Sequence, residues 1–184
     1  MTCYRQAFKF ALICIILLTN AFLDSTNNIY AQNITKRVRV VSGGSVSFIF
    51  KSLVEYSSGK TLSYWSRLNI QFQDTTDAGG DGTSTGWKLM VRANSSAIQS
   101  DGAAADIPLS FIHIRPTTLI PGTTVTNIVL TDANQTIVQG GDPGALTVTG
   151  EIVITYDCGT TTPLLGREPD YYFVDLIFTL AEIP

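Results

Sequence analysis

The chain has 184 residues, of which 45% are hydrophobic, 10% aromatic and 15% charged, and its formal net charge is −3. That composition belongs to a folded domain, not to a disordered segment. The sparse and slightly acidic charge leaves no footprint for nucleic acid.

The chain opens with a leader. Arg5 and Lys9 precede an apolar run, Phe10 to Leu18, that has signal-peptide length and is short for a bilayer span. A polar stretch and "NIYAQN" follow, which places the expected signal peptide at 1–32 and one folded domain at 33–184. Leu12-Ile13-Cys14 resembles a lipoprotein box, but Ile13 is too large for the position before the cysteine, so no lipid is expected. Removing residues 1–32 takes Arg5, Lys9 and Asp24 with it and moves the net charge from −3 to −4. It also leaves Cys158 as the one remaining cysteine, so no internal disulfide is available and the domain must rest on its core.

The first mature segment, "NITKRVRVV", alternates Ile34, Val38 and Val40 against Thr35, Arg37 and Arg39. It fits an edge strand of its own domain, or a strand added to the sheet of a neighbouring subunit. "SVSFIFKSL" is expected to be a strand with Val46, Phe48 and Phe50 on one face. The clearest alternation is in "TLSYWSRLNIQFQD": Leu62, Tyr64, Leu68, Ile70 and Phe72 on a dry face, Trp65, Arg67, Asn69, Gln71 and Gln73 on a wet one.

"DTTDAGGDGTSTG" reads as a long hairpin connection. Asp74, Asp77 and Asp81 supply oxygens of the kind calcium takes, but their spacing is not that of an EF-hand. Gly82-Thr83-Ser84-Thr85-Gly86 spells G-x-S-x-G, and His113 lies downstream. A nucleophile elbow needs a strand before the serine and a helix after it. Here a strand pattern, "WKLMV", follows directly, and His113 falls inside another, so the chain reads as non-catalytic, with no cofactor and no metal expected.

"GWKLMVRA" places Trp87, Leu89 and Val91 on one face. "IPLSFIHIRP", "TTVTNIVLTD", "ALTVTGEIVITYD" and "DYYFVDLIFTL" are further strands, rich in β-branched and aromatic residues and separated by Gly, Asp, Asn and Pro clusters. No segment after the leader shows a capped helical stripe. Seven or eight strands without helices between them predict an all-β fold, an antiparallel two-sheet β-sandwich of Ig-like or pilin-like type.

Trp65 stands with Arg67 and Gln71 on the polar face of its strand and is the candidate ligand-binding residue, an aromatic of the kind that stacks on sugar rings. The leader, the all-β chain, "TGWKLMVRA" before "IPLSFIHI", and the aromatic "YYFVDLIFTLAEIP" together resemble bacterial surface β-sandwich proteins, namely fimbrial (pilin-like) subunits and WxL-type surface domains. "YYFVDL" only approximates the second motif of the WxL type, and the disulfide frequent in pilins is missing. The resemblance implies a secreted, non-catalytic protein of the bacterial cell surface with a structural or adhesive role. Its partners would be copies of itself or other surface subunits, and a carbohydrate-binding module of the sandwich type is the alternative, with glycans as partners.

Mass spectrometry of secreted protein should find an N-terminus near Asn33 and no lipid. Full-length chain fixed in a membrane would overturn the leader assignment.

Overall fold

The computed structural model describes residues 34–74, 84–141 and 147–184, all within the compact unit Gln32–Pro184. In chain order they form β1 (Ile34–Ser42), α1 (Leu53–Ser58), β2 (Lys60–Asp74), β3 (Gly86–Ala93), β4 (Ala97–Ser100), β5 (Ile107–Pro108), a 3-10 turn (Leu109–Phe111), β6 (Ile112–Thr118), β7 (Thr123–Val125), β8 (Ile128–Val129), β9 (Gln135–Gly141), β10 (Val148–Cys158), β11 (Tyr172–Phe173) and β12 (Leu176–Ile183). Two antiparallel sheets dominate, one ordered β1-β2-β10-β6-β8 and the other β12-β3-β9-β7, with a small β11-β4-β5 sheet beside them. The chain is all-β, as its alternation predicts, and its sheets form a sandwich.

Period two explains the layering. Leu68, Ile70 and Phe72 of β2 and Ile152 and Ile154 of β10 point into the core, where Trp87, Leu89 and Val91 of β3 and Leu180 of β12 meet them. Gly140 of β9 is glycine because a Cβ there would stand 2.6–2.9 Å from the Trp87 ring. Lys36 occupies an inward position of β1 opposite Phe72, and its ammonium lies 2.6 Å from Glu182 of β12. This ion pair ties the edge of one sheet to the edge of the other.

Several expectations fail locally. Alternation in β2 breaks at Tyr64, which adopts φ 52 inside a bulge where Ser63, Tyr64 and Trp65 stand against Thr155 alone. Tyr64 is therefore 63% exposed instead of lying on the dry face. "SVSFIFKSL" is not a strand in either sheet. Val46, Phe48 and Phe50 do face the core, but the segment has no ladder partner among the described residues and leads into α1. That helix starts at Ser52, whose hydroxyl accepts from Glu55 N at 3.3 Å, while the Glu55 carboxylate accepts from Lys51 N. "TTVTNIVLTD" splits into β7, which pairs with β9, and β8, which pairs with β6, so the chain changes sheets within a few residues. "IPLSFIHIRP" is divided by the 3-10 turn, and "DYYFVDLIFTL" between β11 and β12. β4 and β9 occupy stretches whose polar and glycine residues read as turns.

Gly140→Ala should lower the unfolding free energy by about 1–3 kcal/mol through overpacking against Trp87. Gly141→Ala, whose Cβ meets nothing within 4 Å, should stay within about 0.5 kcal/mol. Urea unfolding of the two variants measures the difference.

Candidate functional site: an apolar groove beside an unpaired strand edge

The site begins with two bulges. At the end of β1, Val40 opposes Leu68 and Ser42 opposes Arg67, which leaves Val41 as an extra residue that turns the strand away. Gly43 then passes against the bulge of β2. It has φ 64, and a Cβ there would lie 2.3 Å from the Trp65 carbonyl oxygen, so only glycine fits. The Trp65 indole N–H donates to Ser45 O at 2.8 Å, and the Ser66 hydroxyl donates to Gly43 O at 2.5 Å. This locked corner carries residues 44–50 away from β2 as an extended chain. None of their N–H groups bonds to a backbone carbonyl among the described residues.

Across from this segment lies β12, which pairs with β3 on one side and forms the edge of its sheet on the other. Between the segment and β12 runs a groove of about 1140 Å³. Core residues floor it, among them Leu68, Ile98, Ile112, Tyr156 and Cys158. Leu176 and Phe178 of β12 line its wall and are only half-buried. Exposed apolar residues stand on its rim: Ile49 (62%), Tyr171 (82%) and Phe173 (50%). Burial pushes the Cys158 thiol up to about 12, so at neutral pH it is an inert part of the floor. Among the described residues, the groove thus offers the edge of β12, which has no second ladder, and beside it an extended segment whose Ser45 and Ile49 carbonyls accept from the Trp65 and Lys60 side chains, with an apolar bed between them. That is the arrangement an added β-strand requires.

The residues singled out in the sequence fall in different places. Ile34, Val38 and Val40 lie on the inward side of β1, an edge strand paired with β2 of its own domain. Trp65 is 43% exposed, but its N–H is committed to the corner. Arg67 is paired with Glu151 at 2.9 Å. Gln71 shares their face but lies six residues from Trp65, about 20 Å along an extended strand. The three do not converge on one ligand. Ser84 is buried, and its hydroxyl donates to the Asp74 carboxylate. Gly86 begins β3 with no helix after it, and His113 stands in β6 of the other sheet. Asp77 and Asp81 lie outside the described residues. Among the described residues no group of three potential metal ligands occurs.

One polar cluster escaped sequence reading. Asp157 of β10 receives Arg115 Nε at 2.6 Å and a second guanidinium nitrogen at 3.0 Å, and it accepts from the Thr61 hydroxyl. Burial raises its pKa, but the Arg115 and Thr61 bonds outweigh that and hold the carboxyl below its ordinary range. The three residues come from β6, β10 and β2, so no local motif marks them.

No family model matches this chain, and no curated protein matches it. Among solved structures, the P pilus rod subunit PapA is similar over 80% of this chain and 99% of its own, with 13% identity and a TM-score of 0.35.

Because the folded pKa of Asp157 is depressed, its contribution is full above the unfolded carboxylate value, about 3.9, and is lost as pH falls through the folded value. Asp157→Asn should therefore lower the thermal midpoint at pH 7, and the gap to the parent should close as both are titrated below about pH 4. A gap that stays constant down to pH 2 would show that the carboxylate charge contributes nothing.

Proposed function

We propose that this protein is a structural subunit of a bacterial surface assembly, a fimbrial-type building block joined to its neighbours by strand addition. The groove between residues 44–50 and β12 carries this reading. An extended segment from another subunit would pair with the free edge of β12 and place alternate side chains on the apolar floor. Three apolar side chains buried there contribute about 5–9 kcal/mol gross. Association costs about 4–15 kcal/mol, so the side chains alone are marginal. Hydrogen bonds to the open edge of β12 tip the balance, which favours an extended strand over a helix or a loose loop as occupant.

β1 is the segment of this chain that fits the donor role, through Ile34, Val38 and Val40. In the single chain it has one ladder to give up, that with β2. The role is non-catalytic, the partners are other copies of this chain or other surface subunits, and the place of action is the exported cell surface.

Sizing and electron microscopy of residues 33–184 over a wide concentration range test the proposal. Assembly should increase with concentration. Ile49→Glu combined with Phe173→Glu should suppress it while leaving the thermal midpoint of the monomer within a few degrees, since both side chains are exposed. A synthetic peptide of residues 33–41 should bind monomeric 33–184 in calorimetry, and the Ile49→Glu, Phe173→Glu double variant should not bind it. A protein that stays monomeric at every concentration, and that gives no calorimetric signal with the peptide, would overturn the proposal.

A further inference from the structure

The outer face of the five-stranded sheet carries a second recess, which shares no lining residue with the groove. Its volume is about 440 Å³. It arises from register. Arg37 of β1 opposes Gln71 of β2, which opposes Thr149 of β10. One step along, Arg39 opposes Asn69, which opposes Glu151. Neighbouring strands are about 4.8 Å apart and like-facing residues of one strand about 6.7 Å, so six polar side chains form a compact array of two rows.

The charges of this array are unbalanced. Glu151 is held by Arg67 from the next position along β2, at 2.9 Å. Neither Arg37 nor Arg39 is in an ion pair among the described residues. Both are exposed. Two like charges side by side on one strand, on a chain of net charge −3, mark a local excess of positive potential that an anion would relieve.

We propose that this recess binds an anionic polysaccharide. Each guanidinium is a fork that matches a carboxylate or sulfate. The Asn69 and Gln71 amides and the Thr149 hydroxyl both donate and accept, as a hydroxyl-rich chain requires. Among the described residues, no aromatic side chain lines the recess to stack a base, and Ile70, the one large apolar residue in its lining, is buried, leaving no surface for acyl chains. Two free cations on an acidic domain are too few for nucleic acid, whose affinity scales with the number of phosphates neutralised. The site exists while β1 is paired with β2, and it does not depend on the groove.

Affinity electrophoresis and calorimetry of monomeric 33–184 test this with polygalacturonate, dextran sulfate, neutral dextran, an oligonucleotide and phosphatidylglycerol vesicles. Retardation by polygalacturonate alone identifies a carboxylate ligand, by dextran sulfate alone a sulfate ligand, and by both a general polyanionic glycan. Neutral dextran should have no effect. Arg37→Gln with Arg39→Gln should weaken binding at least tenfold with the thermal midpoint unchanged, and Lys51→Gln, an exposed cation elsewhere, should leave it intact. Failure to bind either polyanion would overturn the proposal, as would equal binding of the oligonucleotide or the vesicles, or full binding by the double arginine variant. Because the monomer is measured, the result is independent of whether the protein assembles.

Discussion

A β-strand carries two rows of hydrogen-bonding groups, and β12 uses one of them. Burying the other without partners would cost more than apolar contact returns, so such a row must face water or another strand. The arrangement around the groove follows from this constraint. Residues 44–50 lie close enough to cover the core with Val46, Phe48 and Phe50, yet they do not complete the sheet. The Lys36–Glu182 pair holds β1 to β12 at one end. Beyond Val40 the two walls part, and the core is left under an open apolar roof. An exposed apolar trough of this kind is uncommon on a soluble monomer.

The two bulges set the geometry of the trough. Without the extra residue at Val41, β1 would continue along β2. Without the Ser63–Trp65 bulge, Gly43 would have no carbonyl to pack against. Trp65, which looked like a sugar platform, closes this corner through its indole N–H.

Much of the sandwich was legible in the sequence because half-buried strands advertise a period of two. Leu68 to Phe72 and Trp87 to Val91 lie where their alternation put them. The short α1 contradicts the expectation of no capped helix: Ser52 caps it by accepting from Glu55 N, and the strand-like alternation of Val46, Phe48 and Phe50 just before it masked the cap. The change of sheet between β7 and β8 was not, because both pieces are strand-like and only their distant partners tell them apart. The groove was not legible either. Val46, Phe48 and Phe50 carry a strand pattern, and what sets them apart is a ladder that does not form. The Arg37–Gln71–Thr149 row could be assembled only once the register joined three strands, although Arg37 and Arg39 were visible as the outward residues of β1 from the start.

The ladders that build the two sheets join distant parts of the chain. β2, residues 60–74, waits for β10, residues 148–158, and β3 waits for β12 at the far end. Such topologies close slowly, on the millisecond-to-second scale, because loop-closure entropy is spent before the contacts form. During that interval Leu68, Ile70 and Phe72 stand on an uncovered strand, and Cys158, the one cysteine among the described residues, offers no crosslink to shorten the wait. β12, whose partner β3 lies far earlier in the chain, is also an edge strand of its sheet. Distant pairing and an open edge thus meet in one strand: the residues that close the second sheet across a long stretch of chain are also those that leave its edge without a ladder among the described residues.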